Sequence, residues 1–407
     1  MGDFWGPTEG GPPVPMMPVL AELGTIADVL PEICASLVAR GRLQARQFGL
    51  SVAVATGADA VAQAAPAWRL IEDAGGANTP FQTLAVAEAA SRAHVAQGET
   101  PRIVVVREHD RPVAIFPTVT ATWNGFPAIR FLGDPLIQYG DILAAPEARD
   151  RHLAAAWEAA ADPAFGRMVY LRKVRADARI APLLARETVA LNPQEAPFVA
   201  LDRPPAQGRA ARELGRLRRR LAQHGDLRFE VFAADAALAP LREALAIKGA
   251  WLAERGLPSK VIGCTDWEDA LARLAADPRG GLRVARLKAG AATVAIEIAL
   301  EHRGAWYAFL GATVPRFAKA GPGHVQMADT MDHCRARGHA LYDLLAPAEP
   351  YKRTMGTGSV AVSDHAAALA TTGRLALLLV QSKPVLKQCL DALPSRLRAA
   401  LLAMRRA

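Results

Sequence analysis

A glycine loop in the last third of the chain has the spacing of an anion site. Gly321-Pro322-Gly323 stands between a strand-like run, Trp306–Leu310, and an amphipathic helix pattern that ends before Gly338. Glycine lets the backbone approach a ligand closely, and the first N–H groups of a helix favour a phosphate or pyrophosphate. Lys319 stands beside the loop as a counter-charge. The alternative is a plain turn into the helix.

A single carboxylate, Glu297, interrupts the apolar strand pattern VAIEIAL. Flanking by Ile296 and Ile298 could raise the pKa of this carboxyl, which suits a general base for an attacking amine or hydroxyl. Strict alternation along a strand equally allows the side chain to face solvent. Both orientations stay open.

The elements that position these residues occur twice along the chain. A three-stranded meander, a loop, a helix and a further strand are expected within 102–172 and again within 282–345. Phe131-Leu132-Gly133 and Phe309-Leu310-Gly311 occupy equivalent places. The pattern predicts an α/β chain of the α+β type with two tandem units, each a mixed, mainly antiparallel sheet flanked by helices. Chance similarity between short apolar strands is the alternative.

Composition shifts divide the chain into four parts. Residues 1–48 are predicted to be a partly disordered extension, 49–202 the first unit, 203–383 the second, and 384–407 a basic C-terminal helix. Arg203-Pro204-Pro205 marks the linker, and an arginine-rich helix is expected over 209–221. The apolar run Leu375–Val380 suggests a last strand.

The totals describe an ordinary globular protein of 407 residues with 51% hydrophobic and 22% charged residues. The net charge of +8 favours a polyanionic ligand, although an arginine-rich composition explains it equally well. The sequence has no signal-peptide pattern and no transmembrane run, so a cytoplasmic protein is expected. The nine histidines and four dispersed cysteines form no metal-ligand spacing, so no metal is expected.

The order of elements resembles the GNAT acyltransferase fold, whereas Rossmann and P-loop fingerprints do not fit. In its details the chain is similar to the CelD/BcsL-type (BioF2-like) acetyltransferases, related to the FemAB/FemX transferases with two GNAT units in tandem. The similarity covers roughly 65–360. The stretches that carry it are Thr79-Pro80-Phe81-Gln82, Phe131-Leu132-Gly133, Tyr139-Gly140-Asp141-Ile142-Leu143, Lys248 with Trp251, Phe317 to Gly323, Gly338, Tyr342-Asp343 and Tyr351-Lys352. Two family aromatics, after Gln82 and after Lys352, are missing.

This resemblance implies an acyl-CoA-dependent N- or O-acyltransferase, with acetyl-CoA or another acyl-CoA as co-substrate. The acceptor it implies is a sugar or amino sugar in exopolysaccharide or cellulose-type biosynthesis. The residues expected to hold the CoA pyrophosphate are Lys319, Gly321, Gly323, His324 and Val325. The first unit has no equivalent glycine pair, so it is expected to shape the acceptor cleft.

The same resemblance assigns roles to six further residues. Lys352, which follows an aromatic residue, would stabilise an oxyanion or a phosphate, and Asp343 would orient Lys352 or an amine acceptor. Together with Glu297, these are the predicted catalytic residues. The residues expected to line the acceptor cleft are Lys248, Trp251, Tyr139 and Tyr351. An ordinary structural role is the alternative for each.

Two other functions stay open. A FemX-like transferase that uses aminoacyl-tRNA would fit the basic charge, although the chain lacks the long coiled-coil arm of some such enzymes. The second is a non-catalytic accessory protein, whose GNAT folds bind ligands without catalysing a reaction. Outside the tRNA alternative no nucleic acid is expected, and the C-terminal basic helix would allow peripheral association with a membrane.

Overall fold

One continuous sheet of 13 strands runs through both halves of the chain. The computed structural model describes residues 49–202 and 208–392, and contacts group the described residues from Val52 onward into one unit. The predicted extension (1–48) and the predicted linker at 203–205 lie outside the described residues.

The strands are β1 (Leu50–Thr56), β2 (Thr100–Glu108), β3 (Arg111–Trp123), β4 (Phe126–Phe131), β5 (Leu143–Ala144), β6 (Met168–Arg175), β7 (Val189–Ala200), β8 (Leu227–Ala233), β9 (Leu282–Ala289), β10 (Ala292–His302), β11 (Ala305–Thr313), β12 (Leu341–Asp343) and β13 (Gly358–Ala368). The helices are α1 (Ala60–Asp73), α2 (Leu84–Ala96), α3 (Asp150–Ala160), α4 (Ala181–Glu187), α5 (Gly208–Ala222), α6 (Leu238–Glu254), α7 (Thr265–Ala276), α8 (Pro322–Ala336), α9 (Pro350–Met355) and α10 (Thr371–Ala392). Short 3-10 turns span Pro80–Gln82, Ala234–Ala237 and Pro315–Ala320.

Each half contains the same sequence of elements. The meander β2–β4 is followed by α3 and β6, and the meander β9–β11 is followed by α8 and β12. In both halves the strand after the helix runs parallel to the last strand of the meander. The other pairs of neighbouring strands, taken across the sheet from β2 to the edge strand β8, are antiparallel. The predicted fold class, two tandem GNAT-like units with mainly antiparallel sheets, is confirmed.

The two halves are joined by exchanged strands. The strand order is β1-β2-β3-β4-β6-β13-β7-β12-β11-β10-β9-β8. Thus β7, from the first half, pairs with β12 of the second, and β13, from the end of the chain, pairs with β6 of the first. A cut near residue 203 would therefore leave each half without one of its neighbouring strands.

A shared core lies between the halves on one side of the sheet. Buried residues of the first half, such as Phe81 and Trp157, belong to the same apolar cluster as Trp267 and Ile298 of the second. Burial of large aromatic and aliphatic side chains is the main stabilising contribution to such a junction. The halves are therefore expected to hold a fixed relative geometry at the site described below.

The run Leu375–Val380 lies in the helix α10, so its prediction as a strand is wrong. A short apolar run fits a buried strand and a helix equally well by periodicity alone. In the structure Ala376 and Val380, one helical turn apart, are buried against β6 and β13, while Leu375 is 56% exposed. The predicted C-terminal helix begins inside α10, and residues 393–407 lie outside the described part of the chain.

Candidate active site

The glycine loop starts α8 as its sequence predicts. Gly321 is the N-cap with φ 65°, in the left-handed region that favours glycine, and Pro322 occupies the first helical position. A Cβ on Gly321 would lie 3.0 Å from the Leu217 side chain of α5, so this position also requires a small residue. The loop therefore enters the helix in one defined conformation.

The first turn of α8 leaves the N–H of Gly323 for a ligand. Pro322 has no N–H, and the N–H groups of Gly321 and His324 donate to the carbonyls of Ala318 and Gly321 at 3.1 and 3.2 Å. Within the described chain, the N–H of Gly323 makes no such bond. A Cβ on Gly323 would lie 3.4 Å from Thr313 Cγ2, an ordinary contact, so the space in front of this residue is open.

The remaining predicted phosphate ligands differ in exposure. Val325 is fully buried in an apolar cluster, so its side chain anchors the helix and only its backbone could face a ligand. Lys319 is exposed, and its carbonyl accepts a 2.7 Å hydrogen bond from Arg220 Nη1. His324 is exposed at the start of the helix.

The arginine-rich helix α5 lies beside the start of α8. Besides the Arg220 bond, Arg218 forms an ion pair with Asp329 of α8, and Leu217 contacts Gly321. The exposed arginines Arg212 and Arg219 have no carboxylate partner within ion-pair distance among the described residues. Their charge adds to the positive end of the α8 dipole, which fits an anionic ligand such as the phosphates of CoA.

A gap opens between β11 and β12 in front of this helix. The two strands pair only over Ala305–Tyr307 and Leu341–Asp343, although β11 continues to Thr313. On its other side β11 carries one extra residue opposite Ala299, because its register against β10 shifts between Tyr307 and Leu310. A bulge of this kind bends the strand and leaves a residue outside the ladder.

Side-chain alternation sends neighbouring residues at this gap to opposite faces of the sheet. Trp306 and Tyr342 face α8. There the Tyr342 hydroxyl and the Trp306 indole N–H donate hydrogen bonds to the Glu297 carboxylate, at 2.6 and 2.8 Å respectively. Tyr307 and Asp343, which pair in register, face the other side.

Glu297 is therefore a buried carboxylate beneath α8. Its exposed fraction is 4%, so the solvent-facing orientation does not occur, and burial raises its pKa to about 7. Each of its oxygens already accepts a hydrogen bond from the core. The structure does not bring it to the same face as the other two predicted catalytic residues.

Asp343 joins the two halves of the chain. Its Oδ1 accepts a hydrogen bond from the Tyr139 hydroxyl at 2.8 Å and from the Leu345 N–H at 2.8 Å, and its Oδ2 lies 3.2 Å from Arg175 Nη1. Burial raises the pKa of Asp343, while these donors and the nearby Lys352 act in the opposite direction. Burial also raises the pKa of Tyr139, so its proton stays on the phenol.

A polar cavity of about 320 Å³ opens beside this carboxylate. Its volume lies within the range of small-molecule sites. The residues that line it are Asn78, Thr79, Gln82, Tyr139, Gly140, Asp141, Arg175, Asp177, Ala178, Arg179 and Tyr307. The hydroxyl of Tyr307 has no protein hydrogen-bond partner among the described residues, and burial raises its pKa to about 12.

Two of the motifs quoted from the sequence form the wall of the cavity. Gln82 accepts hydrogen bonds from the N–H and hydroxyl of Thr79 and donates to the Tyr139 carbonyl at 2.9 Å. Asp141 accepts from the backbone N–H groups of Arg179, Ile180 and Ile142 and from Asn78. Burial raises the pKa of Asp141 to about 6. These bonds fix the loop that carries Tyr139.

Lys352 lies near Asp343, and the predicted residues Lys248, Trp251 and Tyr351 lie around it. Its ammonium group donates to the Leu345 carbonyl at 3.1 Å and lies 3.8 Å from Glu349. Lys248 lies 4.4 Å from the centre of the Trp251 ring and is attracted by the same Glu349. Burial lowers the pKa of both lysines, and Tyr351, next to Lys352, is partly exposed.

The structure thus gathers Tyr139, Asp343 and Lys352 at one junction, with the start of α8 at the far end of the gap. Sequence reasoning missed Tyr307, Arg175 and Asp177. Tyr307 could have been found from strand alternation, since it follows Trp306 and pairs with Asp343. Nothing in the sequence distinguished Arg175 from Arg172, the other arginine of β6.

The described residues contain no group of three metal-ligating side chains, and none of their helices is both long and apolar enough to span a bilayer.

Comparisons with known proteins agree with this geometry. Residues 208–353 match the family model described as "Acetyltransferase (GNAT) domain". No curated protein sequence matches. Among solved structures, the C-terminal domain of a putative lysylphosphatidylglycerol synthetase from Agrobacterium fabrum superposes with a TM-score of 0.51, at 13% identity over 79% of this chain and 96% of that one. The structure of L-PGS from Bacillus licheniformis gives 0.52, at 14% identity over 78% and 96%.

FemX is also similar, at 12% identity over 71% of this chain and 92% of that one, with a TM-score of 0.46. At these identities the solved structures support the fold only. The family match to residues 208–353, an acetyltransferase (GNAT) domain, supports an acyltransferase.

Proposed function

We propose that this acyltransferase uses acyl-CoA as donor and transfers the acyl group to an amine or hydroxyl of an acceptor in the cavity. The observation that carries the proposal is the position of Tyr307 and Asp343. They are the last paired residues of β11 and β12, so they stand where the gap begins. Tyr307 lines the cavity, and Asp343 is hydrogen-bonded to Tyr139, which also lines it. A donor in the gap and an acceptor in the cavity would meet there.

The donor would extend from this point to the start of α8. Its diphosphate would contact the N–H of Gly323 and the helix dipole, with Lys319 and the arginines of α5 nearby. The open space in front of Gly323 and the splayed strands support this assignment. CoA supplies the acyl group as a thioester, and the chain supplies the binding and orientation.

The acceptor would attack the thioester directly. The phenol oxygen of Tyr139, which lines the cavity, would accept the proton of the attacking group while its own proton passes to Asp343. The Tyr307 hydroxyl can donate a hydrogen bond to the developing oxyanion or to the sulfur of the leaving group. Lys352 would keep Asp343 ionised by its positive charge. Holding both substrates in line supplies much of the rate.

The acceptor class we infer is a sugar or amino sugar. The cavity wall presents amides, phenols and one carboxylate–guanidinium pair, Asp177 with Arg175, and such groups suit a hydroxyl-rich ligand. A place in exopolysaccharide or cellulose-type biosynthesis rests on the sequence resemblance to the CelD/BcsL-type enzymes.

Calorimetric titration with acetyl-CoA tests the donor site. The parent and Gly323→Ala should bind, because a Cβ at this position makes only an ordinary contact with Thr313, whereas Gly323→Trp should not. Matching melting temperatures would show that the variants are folded. Absence of binding to the parent would contradict the proposal. Release of free thiol in a screen of sugars and amino sugars would then identify the acceptor.

A second candidate is transfer of an aminoacyl group from tRNA. The net charge of +8 and the exposed arginines of α5 favour it. A gel shift with aminoacyl-tRNA that weakens with salt, together with no binding of acetyl-CoA, would support this candidate over the first.

A further inference from the structure

The last described helix, α10, buries one face and exposes another. Ala376 and Val380 pack against Trp123, Tyr170 and their neighbours on the sheet. On the outer side, Leu375, Leu378 and Leu379 are 56, 61 and 42% exposed. Their spacing of three and four residues places them together on one face of the helix. We call these three residues the leucine face.

The sequence after the leucine face continues its spacing. Apolar residues recur at intervals of three and four, at Leu386, Leu390, Leu393, Leu397, Leu401 and Met404. A single exposed leucine needs no explanation, but a contiguous apolar face that sequence periodicity extends indicates a binding surface.

The charges of this segment are almost all of one sign. From residue 371 to the end, the basic residues are Arg374, Lys383, Lys387, Arg396, Arg398, Arg405 and Arg406, and the only acid is Asp391. An apolar stripe combined with basic residues is the pattern of helices that lie in the interface of an anionic bilayer. A second copy of the chain, which also has a net charge of +8, would not complement this uniform positive charge.

We propose that the leucine face is a docking surface for an anionic lipid bilayer. The leucines enter the boundary between headgroups and acyl chains, and the lysines and arginines contact the lipid phosphates. The proposed attachment is peripheral, through this face of α10. This inference does not depend on the proposed function, because the leucine face contains none of the residues assigned to donor or acceptor.

Sedimentation of the full-length protein with vesicles tests the proposal. Binding is expected to vesicles of phosphatidylcholine mixed with phosphatidylglycerol and not to phosphatidylcholine alone, and salt should weaken it. The triple variant Leu375→Ser, Leu378→Ser, Leu379→Ser should lower the partition constant about tenfold or more. Leu70→Ser, at a single leucine that is 62% exposed on α1, is the matched control and should bind as the parent does.

Three results would overturn the proposal. The first is no binding to the phosphatidylglycerol vesicles. The second is equal binding by the parent and the triple variant. The third is a parent that is dimeric by light scattering, with a monomeric triple variant, because the face would then bind a second copy of the chain.

Discussion

The hydroxyl of Tyr139 donates a 2.8 Å hydrogen bond to Asp343, which lies 204 positions later in the chain. Tyr139 belongs to the loop after the first meander, and Asp343 ends the strand after α8. Both side chains are almost completely buried. Because an unpaired buried carboxylate is costly, this bond stabilises the junction as well as the site. The candidate active site is therefore a product of both halves.

Removal of this bond should impair transfer more than folding. Tyr139→Phe is expected to lower kcat about 100-fold with little change in KM for the donor. Since the Tyr139 bond lowers the pKa of Asp343, the variant should also shift the acidic limb of the kcat/KM profile to higher pH.

Tyr170→Phe is the matched control for this variant. The Tyr170 hydroxyl donates to another buried carboxylate, Asp364, at 3.0 Å, away from the cavity. It should lose comparable stability and keep its kcat. Equal losses of kcat in the two variants would contradict the role of Tyr139.

Gly140 should tolerate no side chain. A Cβ there would meet the Phe131 ring and lie 2.9 Å from the Arg172 carbonyl. Gly140→Ala is therefore expected to destabilise the fold by about 1–3 kcal/mol in urea unfolding. On α6, a Cβ at Gly249 would lie 3.6 Å from Ile262, so Gly249→Ala should be neutral or stabilising by up to about 1 kcal/mol. Equal effects would show that the loop can move.

The sequence predicted the helix α8 and the fold class, because both follow from local periodicity. The spacing of Val325, Met331 and Cys334, with Gly321 before and Gly338 after, defined α8 and its start, and the repeated meanders defined the fold class. Partners across the sheet depend on packing between distant segments. The pairing of β13 with β6 was therefore not predicted, and a continuous apolar run, Leu375–Val380, was assigned to the wrong element.

The site was predictable to a similar extent. Tyr139, Asp343 and Lys352 were predicted because the motifs around them resemble a known family, and the structure places them together, while their roles stay predictions. Tyr307 and Arg175 carry no motif, and their importance arises only where the two halves meet. The orientation of Glu297 depends on a register that the sequence leaves open.

Glu297→Gln distinguishes a structural carboxylate from a general base. The pKa of Glu297 is about 7 in the folded protein against an ordinary value of 4.5. Between these values the unfolded chain ionises first, so stability falls as pH rises and becomes constant above about pH 7. Ionisation of Glu297 lowers the free energy of unfolding by at most about 3 kcal/mol.

The glutamine variant cannot ionise at this position. In urea unfolding it should match the parent most closely at pH 4, below the unfolded pKa, and be more stable than the parent at pH 8. Its kcat should be retained, because Glu297 lies on the opposite face from Asp343. A large loss of kcat with unchanged stability would instead support Glu297 as the base.

The arginines of α5 should recognise the 3′-phosphate of CoA. Arg219 is exposed on α5, the helix that contacts the loop before α8, and has no carboxylate partner among the described residues, whereas Arg216 is paired with Glu213. Arg212→Ala with Arg219→Ala is therefore expected to weaken CoA binding about 3- to 10-fold at low salt. Binding of 3′-dephospho-CoA should not change, because the group that these arginines attract is missing.

Calorimetry with both ligands measures the difference. If the variant lost equal affinity for both, the arginines would act on the diphosphate instead, and if it lost none, α5 would be a solvated face.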